Sequence, residues 1–343
     1  MAFIKNNPYR QNGISIVEIM VSIAISLILL AGVMQIMLTN KQTYRVQEAF
    51  ARLQENGRFA MDFLAKDIRM AGFFGCGSMV EKPNNLVDLD NDTYADSFTE
   101  FSGDGLAGFE YANLPLALNS STSLTTGQVL PNTDILQIKH AMNTGLHIDE
   151  PSYQNDANIK LDPVLAQGMF NQYDLLFVTD CEKADIFVAT GISVTTGVNG
   201  HFNIAHAQGP HQNLDNKLSK IYQNDAEVMK FVSNLYYVGN NSAGVPALFR
   251  ASLGNNASIS TEELVEGVED LQILYGEDTD DDGVVNVYED SASVTDFTKV
   301  VSARITLTVR TIEDNIATHT TAAGDKRLRR TFTTSIAIRN RVS

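Results

Sequence analysis

Between Asp278 and Glu289 the chain sets out oxygen donors at the spacing a hard cation needs. Asp278, Asp280 and Asp282 alternate, Gly283 follows, then the Val284 carbonyl, and Glu289 closes the segment. Calcium takes six to eight oxygens. The pattern D-x-[DN]-x-[DN]-G-x5-E turns loop positions one, three and five inward, uses glycine for the sharp turn and ends on a bidentate glutamate. Four carboxylates converging without a cation repel one another. The spacing therefore predicts a structural Ca2+ site of the weak, extracellular kind, with Val285 pinning the loop to the core. Strand-like flanks, Leu271–Tyr275 and Val287–Tyr288, make it an isolated loop and not a paired EF-hand.

The second chemically loaded residue is Glu18, the one charge in the apolar run Ile14–Leu38, five residues after Gly13. A lone carboxylate in a membrane-length segment costs roughly 2–3 kcal/mol near its centre and less toward an end, so it calls for a partner. A secretory signal peptide places its cleavage site after the apolar stretch. Here the fitting point, after Gly13, lies before it. Cleavage there leaves the apolar segment on the mature chain, with Ile14 as its first residue.

Other patterns carry less. Asp88, Asp90 and Asp92 alternate but lack the glycine and the spaced glutamate, and read as an acidic loop. Gly103 to Gly108 spells GxGxxG yet follows polar coil and opens no helix, so it is not a dinucleotide site. His201, His206 and His211 recur every five residues and share no face. No GxSxG, P-loop or HExxH is present. The chain is expected to have no catalytic residues and not to be an enzyme.

The elements that position these groups follow from hydropathy. Ile19–Leu38 is free of formal charge for a length that crosses a bilayer core of roughly 30 Å as a helix. Lys5 and Arg10 precede it, so the positive-inside bias puts the N-terminus in the cytoplasm and everything beyond residue 40 outside it. No proline interrupts Pro8 to Pro83. From Val46, Ala49, Phe50, Leu53, Ala60, Leu64 and Ile68 recur at three- and four-residue spacing. The opposite face carries Glu48–Arg52 and Asp62–Lys66 as i,i+4 pairs, and Gly72 is a fitting end. A helix from Ile14 to about Met70 would be roughly 85 Å long.

The remainder, 72–343, is large enough for a core of its own and reads as mainly β. Apolar runs at 135–138, 175–178, 186–188, 231–238, 247–251, 268–275, 301–309 and 332–338 alternate with polar breaks. The stretches 82–133, 191–225 and 313–326 read as surface loops. The fold class expected is α+β: a long N-terminal helix packed on a mainly antiparallel sheet head with long loops. Cys76 and Cys181 are the only cysteines, both in the exported part. They stand in no CxxC and beside no histidine, which argues against redox catalysis and zinc. A disulfide between them would close a loop of about 105 residues and contribute roughly 4–5 kcal/mol. The formal net charge is −16, two units more negative without Lys5 and Arg10, which opposes nucleic-acid binding. Lys326-Arg327-Leu328-Arg329-Arg330 is the exception and reads as a basic turn entering the last strand.

Gly13 followed by Ile14-Ser15-Ile16-Val17-Glu18 resembles the prepilin signature shared by type IV pilins and type II secretion pseudopilins, with Ile14, Ser15 and Ile16 where phenylalanine, threonine and leucine are commoner. The stretch from Ala51-Arg52-Leu53-Gln54-Glu55-Asn56-Gly57-Arg58-Phe59-Ala60 to Gly75-Cys76 resembles the PilW family of minor type IV pilins, as does Tyr275-Gly276 leading into the Asp-rich loop. The resemblance implies a leader at 1–13, a transmembrane and filament-core helix at 14–38, its amphipathic continuation at 39–71 and a periplasmic or extracellular head at 72–343. It implies cleavage between Gly13 and Ile14 by a prepilin peptidase, N-methylation of Ile14, and Glu18 meeting the N-terminal amine of a neighbour. The partners implied are other minor pilins, the major pilin and a tip adhesin. The protein would sit in the inner membrane before assembly and at the pilus tip afterwards, serving pilus initiation, adhesion and twitching motility. A type II secretion minor pseudopilin is the alternative, and a membrane-anchored periplasmic enzyme or receptor a third reading.

Overall fold

The computed structural model describes residues 13–75, 83–88, 105–111, 129–150, 157–195, 197, 200–209, 213–254, 258–317, 319–321 and 323–341. One helix, α1, runs unbroken over Ile16–Met70. It starts two residues later than expected, because Ser15 is still extended at φ −75° and ψ 143°. It stops where Gly72 takes φ 71°, a left-handed turn that glycine adopts without a Cβ penalty. At about 1.5 Å per residue it is roughly 80 Å long.

The two halves of α1 meet different surroundings. Every residue from Gly13 to Arg45 is exposed, and the most apolar window reaches a mean hydropathy of 2.6. Beyond it, Leu53, Gly57, Ala60, Leu64, Ala65 and Ile68 are buried, the three–four spacing of one helical face. Phe50 was expected in that stripe but lies 42 % exposed, its ring covered by the Arg330 guanidinium at 5.6 Å. Glu48 pairs with Arg52 at 2.7 Å as the spacing predicts. Asp62 turns instead to Arg58, at 3.9 Å.

The strands, in chain order, are β1 (Asn84–Asn85), β2 (Leu106–Glu110), β3 (Asp134–His147), β4 (Asn158–Leu161), β5 (Leu175–Thr179), β6 (Ala184–Val188), β7 (Gly191–Val194), β8 (Phe202–Ala205), β9 (Glu227–Asn240), β10 (Pro246–Leu253), β11 (Ile259–Glu266), β12 (Val268–Glu277), β13 (Val287–Glu289), β14 (Val300–Arg310) and β15 (Arg329–Ala337). Among the described residues they form three sheets. The largest has the order β1-β6-β5-β9-β10-β11, with β3 on β9 and β2 on β3; the second is β13-β12-β14-β15; the third is β4-β8-β7. Strand β9 organises the first. One edge holds β3, and the other is shared by β5 and β10 in succession. All pairings are antiparallel except β1 with β6. The α+β architecture, a helix on a mainly antiparallel sheet head, is the one observed.

The helix lies across the seam of the two larger sheets. Its buried stripe shares a core with Leu136 and Ile138 of β3, Tyr236 and Val238 of β9, Leu271 and Ile273 of β12, and Ile305 and Leu307 of β14. Gly57 belongs to that stripe because the Phe332 ring occupies the place of a Cβ. A second core, with Ile159, Leu161, Phe202 and Ile204, lies under the small sheet. The stretch 191–225, expected to be loop, therefore contains β7 and β8. It is held by Asp185, fully buried, which accepts from the Ser219 and Tyr222 hydroxyls, each at 2.7 Å. Likewise β1 and β2 fall within 82–133. The letters GxGxxG end on β2, whose Gly108 passes beneath the Tyr275 hydroxyl, where a side chain would clash.

Candidate functional site

Gly13 and Ile14 stand ahead of the first helical turn. Among the described residues nothing lies within 4 Å of the Cβ position of Gly13. Residues 1–12 lie outside the described residues. Glu18 occupies the first turn of α1, where the helix dipole favours negative charge. Its carbonyl accepts from the Ser22 hydroxyl at 2.7 Å. Its carboxylate shares a shallow apolar surface with Ile14, Ile19 and Ile23. Among the described residues no cation pairs with it.

The acidic loop joins β12 to β13. Asp278 is only 5 % exposed, and its carboxylate accepts from Gly283 N–H at 2.7 Å and Asp282 N–H at 3.2 Å. Burial alone would raise this carboxyl, but those backbone donors outweigh it and hold it below its ordinary value. The chain turns through φ 59° at Asp281 and φ 82° at Gly283. Thr279 N–H donates to Asn286 Oδ1 at 2.6 Å, closing the loop, and the Val285 methyls pack on the backbone of Gly276, the anchor expected of that residue. Asp278, Asp280 and Asp282 bring one carboxylate oxygen each within 4.8 Å of the others. Glu289 is not in that group; it lies at the end of β13, opposite Tyr275. Three convergent anionic oxygens suit a hard divalent cation.

The remaining sequence candidates fall as follows. Cys181 sits in the β5–β6 turn at φ 72°, and no cysteine among the described residues is free; Cys76 lies outside the described residues. Position 75 packs near the Thr179 side chain, 3.2 Å from where a Gly75 Cβ would be. His201 places Nδ1 3.0 Å from Asp149 and Nε2 3.3 Å from Glu150. His206 is fully buried, and His211 lies outside the described residues. Asp90 and Asp92 are also outside. Within the basic cluster, Arg327 and Arg329 form ion pairs within the head. Arg329 forks onto Glu269 at 2.6 and 3.0 Å and onto Asp325 at 2.7 and 2.9 Å. That bonding holds the Asp325 carboxyl well below the usual carboxylate range.

One anchoring residue escaped the sequence reading. Asp67 accepts from the Tyr236 hydroxyl at 2.5 Å and the Asn234 amide at 2.7 Å, tying α1 to β9. An acid beside Leu64 and Ile68, within the apolar stripe, was the available signal.

Two matches to known families complete the picture. Residues 8–34 match the Prokaryotic N-terminal methylation motif. Residues 235–340, from the second half of β9 through the acidic loop to β15, match Type IV Pilus-assembly protein W. The amphipathic stretch 51–78 lies outside both. No curated protein and no solved structure matches the chain.

Proposed function

We propose that this chain, a PilW-like minor type IV pilin carrying the N-terminal methylation motif, primes pilus assembly and takes a place in the tip complex without catalysing a reaction. The observation that carries the reading is the divided helix: an exposed apolar half bearing one acid, continuous with a half clamped to the head. A prepilin peptidase cuts between Gly13 and Ile14, and Ile14 is methylated. In the inner membrane the head faces the periplasm and Glu18 lacks a countercharge. The amine of a neighbouring subunit supplies it, and relief of the uncompensated carboxylate favours entry into the filament. Other minor pilins and the major pilin are the neighbours, and a tip adhesin is the cargo. The match to a pilus-assembly protein favours this over the secretion pseudopilin.

In the head, Asp278, Asp280, Asp282 and the Val284 carbonyl hold Ca2+, with Glu289 swinging in from β13 as the closing ligand. The ion would neutralise the converging carboxylates and stiffen the β12–β13 turn. A Cys76–Cys181 disulfide ties the segment after α1 to the β5–β6 turn; the approach of position 75 to Thr179 supports it.

The test of assembly is Glu18→Ala. It should leave processing at Gly13 largely intact while removing the protein from sheared pili and lowering surface piliation. Normal incorporation of the variant would contradict the role given to Glu18.

A further inference from the structure

The segment 310–330, which joins β14 to β15, lies at the end of the head nearest the apolar half of α1. Arg45 reaches Glu313 at 3.5 Å, and the Arg330 guanidinium lies over the Phe50 ring at 5.6 Å. Farther along the helix Gly57 meets the Phe332 ring, and the Arg69 carbonyl accepts from the Arg339 N–H. Strand β15 therefore runs along α1 away from the apolar segment, and its antiparallel neighbour β14 runs toward it. Charge follows the same axis. Residues 310–330 hold five lysines and arginines against three acids, in a chain whose net charge is −16. Residues 277–290, at the opposite end of β14, hold seven acids and no lysine or arginine.

At the basic end a cleft of about 140 Å³ opens between α1 and the start of this segment. Arg45, Arg52 and Arg310 line it, with Leu53 and Ile312 as an apolar wall. Its arginines are only partly engaged. Arg45 holds Glu313 and Arg52 holds Glu48, each through Nη2 alone. Arg310 reaches Glu269 through Nη1 at 3.4 Å, and its buried Nε has no acceptor among the described residues. A guanidinium carries five N–H donors and accepts nothing, so donors remain for an oxyanion, and their planar forks match phosphate oxygens. Beside the cleft, Lys326 and Arg330 pair with no carboxylate among the described residues.

We propose that this basic end docks the head on anionic phospholipid of the membrane that the apolar half of α1 spans, a lipid phosphate entering the cleft beside Arg45 and Arg310. The proposal rests on the membrane stage of the function given above and adds a lipid contact to it. Arg45 stands seven residues past Leu38, about 10 Å along the axis, and the headgroup layer is roughly 5–8 Å deep. Side chains on a helix lean toward its N-terminus, here toward the membrane. The basic end lies on one side of α1, so the ordinary tilt of a spanning helix, about 20°, lowers it onto the surface. Each Lys or Arg brought to an anionic surface strengthens attachment about fivefold. Free phosphate would meet the same arginines; the apolar wall and the place beside the spanning segment favour lipid. The acidic loop, at the far end, is held away from the surface.

The test places the full-length protein in nanodiscs of phosphatidylcholine, alone or with phosphatidylglycerol, and reads hydrogen exchange peptide by peptide. Phosphatidylglycerol should slow exchange severalfold in 310–330 and leave 277–290 unchanged, and high salt should remove the protection. Arg45→Gln combined with Lys326→Gln, both at exposed positions, should lose most of the protection while keeping the wild-type melt. Should that variant fail to fold, Arg52→Gln reads the same cleft. Equal exchange of the wild type in the two nanodiscs would overturn the docking. Equal protection by inorganic phosphate in lipid-free detergent would overturn lipid as the source. A variant that keeps its lipid protection yet drops out of sheared pili would overturn it in favour of a protein partner. Processing at Gly13 is read separately on the protein from cells, so failure of the docking and failure of the assembly reading are distinguishable.

Discussion

Single side chains in this protein are set against water or lipid in ways that decide what they do. Asp67 is an acid in the buried stripe of a helix, a position that is unfavourable unless the carboxylate is fully used. It is used, by Tyr236 and Asn234. Asp67→Ala should therefore leave two donors without an acceptor and cost about 1–3 kcal/mol. Thermal melting reads this directly, and faster hydrogen exchange should concentrate in residues 60–70; an unchanged melt would show that packing alone holds the helix. Glu18 is the opposite case, an acid with no ion-pair partner among the described residues, and its proposed role lies between chains. The sequence exposed Glu18 because nothing else in Ile14–Leu38 is charged. Asp67 was hidden among the charges of an amphipathic helix.

At the scale of elements, the acidic loop is a turn whose own backbone already satisfies much of Asp278, while Asp280 and Asp282 remain exposed. Calcium binding should therefore raise the Tm of the full-length protein in detergent, and Asp280→Ala should abolish that rise while changing the calcium-free melt little. Equal melting of wild type with and without calcium would remove the ion. The loop was legible because its chemistry is local: twelve consecutive residues contain the donors and the turn glycine. The helix was legible for the same reason, through periodicity and the absence of proline. The strands β4, β7 and β8 were not. Each is four residues long, and Asn, Gly and Thr surround β7 and β8, so local signals read as loop. Only tertiary burial of Phe202 and Ile204 against Ile159 and Leu161 turns them into a sheet. In GxGxxG, Gly105 and Gly108 serve close packing against Gly72 and Tyr275.

For the whole molecule, the defining fact is one continuous helix shared by two environments. Its second half is part of the head's core, so any force on the first half reaches the sheets without a hinge. An apolar segment of mean hydropathy 2.6, exposed from end to end, has to be covered by lipid or by other helices. The proposed function has the subunit change from the first covering to the second, with a free, processed chain end at Ile14. The most direct test is mass spectrometry of the N-terminal peptide of the protein recovered from membranes and from sheared pili. The account predicts a chain beginning at Ile14 with a methylated amine in both fractions. Recovery of the chain with residues 1–13 still attached, in cells whose other prepilins mature normally, would contradict it.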